Sequence, residues 1–583
     1  MTLLLFGVAV AMIAAPQNQT TQKRPLQEEN YNRPEPQGPT TPQVPSQNRF
    51  QKDKIFLERA DSLYREDAFQ DIKIVSGNVM FRQGGTVLTC DSAYFFTEQD
   101  RANCYGNVRL VQGDTLYIYA DKLYYDGQRQ FAQLRAGPTA RRVRLINRRD
   151  TLITDSLDYN LASRLGWYQT GGQLKDPTTL LTSVYGQYSP ATKNAEFYHD
   201  VVLINKKDKY KLITDTLYYN TLTGIASIDT RTIIEGTSDT IITYGGTYNT
   251  KSGFANLTKR SLIVHKDTNN NVVTLEGDSI IYDKASDISR AYMYRSPYKI
   301  GRPVVLTDTA NKAIMVGGFG QYDNRNRRAV ASDYPLLMEY SRPDTLFLRA
   351  DTIRTFVMKS EPVTDTLGVV LEEAKEYYLA KAYDRARFFR QDIQGIADSI
   401  TYVELDSMLY LHRKPVVWSD DRQVSGNIIE VHINDSTADW ARLPDSGILM
   451  ELVDEDFYNQ LSAKKMLALL NDKSIDRLEA EGNVMVIMLP EEEDSTYNKF
   501  VKAESSFMEV DFKDNDLSKL KMWPQVNGTV TPISLVKDAD KMLPGARWLD
   551  ILRPRRYWYG NRWMWEDELG ELSDELDAYF KSK

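Results

Sequence analysis

The chain has 583 residues, of which 42% are hydrophobic and 26% charged, so it can form one elongated body or several domains. Its net charge of −8 argues against general attraction to nucleic acid, although local basic patches remain. The 35 tyrosines favour β-strands, because aromatic rings pack well on a pleated surface.

The first fifty residues differ in composition from the rest. Residues 1–15 are an unbroken apolar run that ends in small residues, and a membrane-spanning helix needs about 20. A signal peptide cleaved near Ala15 fits better than a buried segment, although no Lys or Arg precedes the run and Pro16 follows it. Residues 16–50 are rich in Pro and Gln and predict a disordered linker, because they cannot bury enough surface to fold.

One phrase recurs along most of the chain. It is an Asp, then a polar residue, then Leu or Ile, and a Tyr two positions later. Between Asp91 and Asp278 the copies are about 30 residues apart, which indicates a repeat protein. The copies include Asp121–Tyr125, Asp155–Tyr159, Asp215–Tyr219, Asp278–Tyr282 and Asp398–Tyr402.

Each copy predicts a β-hairpin. Leu157 and Tyr159 are two positions apart, so they share one face of a strand. Polar residues follow, and a returning arm carries small or apolar residues. We therefore predict an all-β fold, an elongated stack of repeated hairpins. Residues 463–470 contain good helix formers, but a strand there keeps the repeat in register.

Stacked hairpins must bury a common apolar face, because one hairpin is not stable alone. If the two sides of the stack close fully, the inside is a filled core, and if they stay apart it is an apolar groove. Both outcomes stay open. We expect repeats over 51–310, a second repeat region over 311–540, and a Trp/Arg-rich tail over 541–583. The initial Asp of each phrase we interpret as a turn cap.

The repeated opening phrase combines with a closing phrase, Gly-Asn-Val, at 77–79, 106–108 and 482–484. Together with the export signal, these phrases resemble the OstA-like family over about Phe56 to Val536. That family includes LptA, LptC and the N-terminal part of LptD. Residues 391–399 and 414–418 resemble its large Bacteroidetes-type members.

The resemblance implies one or more LptA-like β-jelly rolls in the periplasm, possessing an apolar groove for the acyl chains of lipid A. It implies lipopolysaccharide transport towards the outer membrane, with LptC-like or LptD-like neighbours, or further copies of the chain, as partners. Outer-membrane association is a further expectation. We expect no nucleic acid, cofactor or metal.

The candidate lipid contacts are the inward apolar residues of the phrase, for which plain sheet core is the alternative. The members are Leu123, Tyr125, Leu157, Tyr159, Leu217, Tyr219, Ile280, Tyr282, Ile400 and Tyr402. Arg141, Arg142 and Arg144 are candidate phosphate contacts, because guanidinium groups pair with phosphate. Their alternative role is to protect a sheet edge from aggregation.

Other features leave alternatives open. Cys90 and Cys104 lie on the two arms of one hairpin and form a disulfide or stay free. Arginines and tryptophans after Pro544 suit a partner interface or a cap on the last repeat. We predict no enzyme, since no catalytic motif is present. The alternative function is a structural or adhesive repeat protein of the cell envelope, and a glycan-active enzyme ranks below it.

Overall fold

The computed structural model describes residues 54–65, 71–137, 142–267, 270–341, 344–364, 370–434, 437–454, 456–471, 474–492, 496–513, 516–559, 562–566 and 578–582. The predicted signal peptide and linker, residues 1–50, lie outside these residues. Residues from Asp53 onwards form one compact unit.

The strands of the first part of the chain are mostly four to twelve residues long. They are β1 (Phe56–Arg59), β2 (Ser62–Arg65), β3 (Ile72–Gln83), β4 (Thr86–Phe96), β5 (Arg101–Gln112), β6 (Leu116–Asp126), β7 (Phe131–Arg135), β8 (Val143–Asn147), β9 (Asp150–Thr154), β10 (Ser156–Asn160), β11 (Leu165–Tyr168), β12 (Gly172–Lys175), β13 (Thr179–Ser183), β14 (Tyr185–Tyr188), β15 (Asn194–Asn205), β16 (Tyr210–Asn220), β17 (Ile225–Ile228) and β18 (Thr232–Glu235).

The middle of the chain continues the same pattern of short strands. They are β19 (Asp239–Thr243), β20 (Gly245–Asn249), β21 (Phe254–Thr258), β22 (Ser261–Lys266), β23 (Val272–Gly277), β24 (Ser279–Asp283), β25 (Ile288–Tyr292), β26 (Arg295–Ser296), β27 (Lys299–Ile300), β28 (Val304–Asp308), β29 (Ala313–Gly317), β30 (Phe319–Asp323), β31 (Arg328–Ser332), β32 (Leu336–Glu339), β33 (Leu346–Arg349), β34 (Thr352–Lys359), β35 (Val363–Thr364) and β36 (Val370–Glu372).

The last part contains the longest strands. They are β37 (Glu376–Arg390), β38 (Ile393–Val403), β39 (Met408–His412), β40 (Val416–Ser419), β41 (Arg422–Ser425), β42 (Ile428–Asn434), β43 (Thr437–Leu443), β44 (Gly447–Asp454), β45 (Phe457–Ala463), β46 (Lys465–Asn471), β47 (Ser474–Met488), β48 (Lys499–Lys513), β49 (Asp516–Trp523), β50 (Asn527–Pro532), β51 (Arg556–Tyr559) and β52 (Arg562–Trp565). Short 3-10 turns lie at Ile533–Leu535, Asp538–Asp540 and Asp550–Leu552.

Of the 52 described strands, 46 form one antiparallel sheet arranged as two facing walls, and β26–β27, β35–β36 and β51–β52 pair separately. Each long strand contributes one half to each wall. Between the long strands, two separate series of short strands continue the two walls side by side. In β6, for example, residues 122–126 pair with β7 while residues 116–119 pair with β8. Wall 1 then continues through β10, β11 and β14, and wall 2 through β9, β12 and β13. Both series of short strands end by pairing with β15, β14 in wall 1 and β13 in wall 2.

The walls meet along one edge, the bend edge, where each long strand turns a corner. In β3, β5, β15, β37 and β47 two successive residues there have positive φ, as in Gly106 (+75°) and Asn107 (+39°), and the pairing register slips by a bulge. The Asn107 amide donates to the Asp91 carboxylate at 2.8 Å, and Asn78 does the same to Asp61. The Asp that opens each phrase therefore holds a corner. The opposite margin, where the hairpin turns lie, is called the tip edge below.

The all-β prediction is confirmed. Residues 463–470 fall in β45 and β46, so the strand prediction there is also confirmed. The ladder continues through position 310, because β28 pairs with β29 across it. No helix in the described part of the chain is long and apolar enough to span a bilayer.

Candidate functional site

The space between the two walls is the candidate site, and it differs along the stack. In β1–β25, which we call the sealed zone, inward side chains are buried from the bend edge to the tip edge. In β32–β49, which we call the open zone, they are buried near the bend edge, and towards the tip edge several are partly exposed, although Leu461, Leu478, Val486 and Val510 of β45–β48 remain buried. The strands β28–β31 lie between the two zones.

Hydrogen bonds between the walls close the tip edge of the sealed zone, and we call this row of bonds the tip seam. Gln112 at the end of wall 2 donates to the Leu161 carbonyl of wall 1 at 2.9 Å and accepts the Tyr159 hydroxyl at 3.0 Å. Gln83 makes the same two contacts, with the Gly127 carbonyl and the Tyr125 hydroxyl. The Tyr of the repeated phrase thus reaches across the interior and fixes the facing wall.

Asp150 is the node of the seam with the most partners. Its Oδ2 atom accepts the Tyr188 hydroxyl at 2.7 Å, the Lys193 ammonium at 3.0 Å and the Thr221 hydroxyl at 3.1 Å. Asp150 belongs to wall 2 and its three donors to wall 1. Burial, followed by the Asp150 carboxylate, raises the pKa of Tyr188, so this hydroxyl stays protonated as a donor.

The seam ends in a buried cluster at β19, β22, β24 and β25. Asp239 accepts the Tyr282 hydroxyl at 2.8 Å and lies 2.7 Å from His265 Nδ1, while His265 Nε2 lies 3.1 Å from the Ser289 hydroxyl. Burial alone would raise the pKa of Asp239, but its bonds from His265 and Tyr282 outweigh that and lower it. The order Asp–His–Ser matches a hydrolase triad, yet Ser289 has no exposed surface for a substrate to reach. The cluster therefore joins the walls.

Asp239, His265 and Asp287 place one ligand atom each within 4.8 Å of one another, a spacing that could accommodate a metal ion. Both His265 nitrogens already face protein partners. Metal binding would have to displace at least one of these bonds, so we assign no metal to the group.

The tips of the open zone differ from the tip seam. Beyond Asn324, we find no hydrogen bond between the tips of the two walls among the residues that the structure describes. Near the bend edge the inward side chains are buried, as in Leu411 and Ile429. Two positions nearer the tips, inward side chains are partly exposed: Leu348, Leu409, Val424, Val431 and Leu449. We call the space between these partly exposed apolar faces the slot.

A small cavity of about 60 Å³ lies between the two zones. His265 and Tyr322 line its sealed side, while Leu337 and Tyr378 line its open side. The His265 and Tyr322 rings are 5.1 Å apart and form the end wall of the slot. The open apolar space therefore stops here and does not continue into the sealed zone.

The ten predicted lipid contacts divide between the zones. Eight lie in the sealed zone with at most 5% of their surface exposed, and their apolar side chains contribute to one core. Ile400 and Tyr402 lie in the open zone, where Ile400 is buried and Tyr402 is half-buried. Sequence periodicity finds the inward face but cannot tell which copies face open space.

The predicted basic contacts lie away from the slot. Arg142 pairs with Asp155 at 2.7 Å at the bend edge, and Arg144 lies over the Tyr119 ring at 5.5 Å on the outside of wall 2. Arg141 lies outside the described residues. A phosphate role for this group remains a prediction.

Cys90 and Cys104 are both free and buried in this structure. The hydrogen bond with the Cys90 thiol, with burial, raises the pKa of the Cys104 thiol well above its ordinary value. Their positions in adjacent strands β4 and β5 make them part of the sealed core.

The described part of the tail after β50 packs on the outside of wall 2. Residues 533–559, which we call the C-terminal strap, turn back along the outer face of wall 2. Leu543 packs with Met450 and Phe500, and Leu552 packs with Trp418. Trp548 contacts Tyr458, with 5.1 Å between the ring centroids. The strap thus runs against the direction of the stack, from β48 back towards β38.

Three buried glutamines of wall 2 bind the strap. Gln423 donates to the Arg547 carbonyl at 2.8 Å and accepts the Leu549 N–H at 2.7 Å. Gln460 binds the Lys541 carbonyl and the Leu543 N–H in the same way, at 2.6 and 2.8 Å. Gln394 accepts from the Arg553 guanidinium at 2.7 Å. Two of these side-chain amides therefore pair with the strap backbone much as a neighbouring strand would.

Sequence analysis missed both the strap and the tip seam, although each leaves a signal. Runs such as Val416–Trp418 and Met485–Met488 lack the alternation of a one-sided strand, which is typical of strands covered on both faces. Gln83, Gln112 and Asn147 lie about one repeat apart at the ends of wall 2 strands.

Comparison with known proteins finds a family model that matches part of the chain. Residues 52–215 match the model described as OstA-like protein. No curated protein matches. One matching solved structure is LptH, the LptA homologous periplasmic component of the conserved lipopolysaccharide transport device from Pseudomonas aeruginosa. It is 13% identical and covers 29% of this chain and 77% of that chain, with a TM-score of 0.08, so we draw no structural argument from it.

The matched residues span β1 to the middle of β16, which all belong to the sealed zone. The phrases at Asp121–Tyr125 and Asp155–Tyr159, and the closing phrases at 77–79 and 106–108, fall within them. Residues 52–215 are therefore similar to the OstA-like family, as the repeated phrases predicted.

Proposed function

We propose that the protein binds the acyl chains of lipopolysaccharide in the open zone and carries the lipid through the periplasm towards the outer membrane. The observation that supports this most directly is the slot, whose partly exposed inward residues are apolar on both walls. Each acyl methylene that leaves water contributes about 0.8 kcal/mol. The open tip edge would let the polar sugars remain in solvent.

Within this proposal the zones have different roles. Leu409 and Val431 of wall 1 face Val424 and Leu449 of wall 2, so these side chains are the proposed acyl contacts, together with Ile400 and Tyr402. The eight phrase residues of the sealed zone could contact lipid only if the tip seam opened. LptC-like or LptD-like jelly rolls, or further copies of this chain, are the proposed neighbours.

Photo-crosslinking tests the proposal. A diazirine amino acid replaces Leu409 or Val431, and the purified full chain is irradiated with lipopolysaccharide. We expect covalent capture at both positions. Matched controls carry the same amino acid at Leu212, which is buried in the sealed zone, and at Leu222, which is 68% exposed at a wall 1 tip. Both controls should give no capture.

Two outcomes would contradict the proposal. Equal capture at Leu222 would mean non-specific adhesion, and no capture at Leu409 or Val431 would mean that the slot does not take this lipid. Phosphatidylethanolamine vesicles, tested in parallel, separate general acyl-chain binding from lipopolysaccharide binding. If depletion in cells leaves lipopolysaccharide delivery unchanged, the structural or adhesive alternative gains support.

A further inference from the structure

We infer that the C-terminal strap takes the place of the tip seam and holds the open zone apart. The two features occupy complementary parts of the stack. The seam joins the walls from Ile55 to Ser289, and the strap region covers wall 2 from Phe347 to Phe500. No seam bond lies in the strap-covered part, and no strap contact lies in the seam-joined part, among the residues that the structure describes.

Two walls joined along one edge behave as a hinge. In the sealed zone the seam fixes the hinge angle from the tip side. In the open zone the inward apolar surface would be buried if the walls closed, which the hydrophobic effect favours. Something must therefore hold wall 2 in its present orientation.

Wall 2 of the open zone is held from outside. Its strands are buried on the outer as well as the inner face, and Ile396, Val416, Trp418, Met450 and Ile487 have at most 1% of their surface exposed. The strap covers this outer face, and buried Gln423 and Gln460 fix the strap backbone at two separate strands. These strap contacts all lie on wall 2, so the strap stiffens wall 2 as one unit and resists closure through the chain end that contacts the bend edge.

The end of the chain connects the strap side to the hinge itself. The Tyr579 hydroxyl donates to the Lys414 carbonyl at 3.0 Å, and the Lys414 ammonium donates to the Ser582 carbonyl. Lys414 lies in a corner of the bend edge, where Arg413 and Lys414 both have positive φ. Tyr579 and Phe580 also pack with Ile396, Val416 and Trp418 on wall 2. The same segment therefore contacts both the corner and the wall that turns about it.

Distances between spin labels on opposing tips test this inference without any lipid. In a Cys90→Ala, Cys104→Ala background, Asp406→Cys and Asp421→Cys label the open zone, and Thr223→Cys and Lys207→Cys label the sealed zone. In the double variant Gln423→Ala, Gln460→Ala, the open-zone distance should shift or broaden by at least about 5 Å, roughly one strand spacing. The sealed-zone distance should not change.

A chain ending at Pro532 should show the same change in the open-zone distance. If that chain does not fold, the double variant alone tests the inference. Asp150→Asn gives the reciprocal control, because it should broaden only the sealed-zone distance. The inference would be overturned by an unchanged open-zone distance in a variant whose strap is shown by proteolysis to be released. An open-zone change together with failed lipid crosslinking would leave this inference standing and refute only the proposed function.

Discussion

At the scale of single residues, the Tyr of the repeated phrase has two functions in one side chain. Its ring fills the space between the walls, and in Tyr125, Tyr159 and Tyr282 its hydroxyl bonds to a polar side chain of the opposite wall. A buried hydroxyl without a partner costs free energy, so each such Tyr requires a polar residue opposite it. The Tyr of each of these phrases therefore has a specific polar partner on the opposite wall, which is Gln83, Gln112 or Asp239.

Two substitutions at the Asp150 node should lower the free energy of local opening by different amounts. Tyr188→Phe removes one hydrogen bond and should lower the free energy of local opening by about 1 kcal/mol. Asp150→Ala strands the buried Lys193 ammonium and two hydroxyls, so the loss should be about 3 kcal/mol. Native-state hydrogen exchange of β9, β14 and β15 measures both values. Asp155→Ala is the control, because Asp155 is a bend-edge carboxylate with 58% of its side chain exposed. A loss of stability in this control as large as that of Asp150→Ala would contradict the assigned role of Asp150 in the tip seam.

At the scale of elements, the corner in each long strand converts one strand into two walls. The sequence indicates it through Gly-Asn pairs, because Gly tolerates positive φ and Asn is among the few other residues that do so. Other corners use residues without that preference, such as Arg413 and Lys414 (φ 56° and 54°). These corners could not be predicted locally, because they are imposed by the walls on either side.

Replacement of a corner glycine should weaken the fold more than replacement of a turn glycine. A Cβ atom at Gly106 would lie 2.4 Å from the Asp91 carboxylate oxygen, and φ there is +75°. Gly106→Ala should therefore cost about 1–2 kcal/mol, measured by hydrogen exchange of β4 and β5. Gly85→Ala has no atom within 4 Å of the new Cβ and should be nearly neutral. Equal effects of the two changes would contradict the assigned corner.

At the scale of the whole molecule, the same repeat is used in two ways. The sealed zone has a filled interior closed on both edges, and the open zone has an apolar slot braced from outside. The transition lies near the His265–Tyr322 contact, close to the predicted division at 310 although the sheet itself does not break there. A repeat stack of this kind transmits local changes mainly to neighbouring strands.

The difference between the zones predicts different tolerance of polar substitutions. Leu212 is fully buried in the sealed zone, so Leu212→Asn should cost more than about 3 kcal/mol from lost packing and an unpaired amide. Leu409 is half-exposed on the slot, so Leu409→Asn should cost about 1 kcal/mol. Thermal unfolding and hydrogen exchange of β16 and β39 measure the two effects. Similar losses would mean that the open zone is as tightly packed as the sealed zone.

The sequence by itself determined the all-β fold, the hairpin repeat and the similarity of residues 52–215 to the OstA-like family, because each rests on spacing along a strand or on a repeated local phrase. Even the helix-forming residues 463–470 follow the register of the repeat. Only the tertiary structure decided which copies are sealed and which face an open slot. That distinction depends on partners distant along the chain, Asp150 with Thr221 and Gln423 with Arg547, which no local pattern can pair.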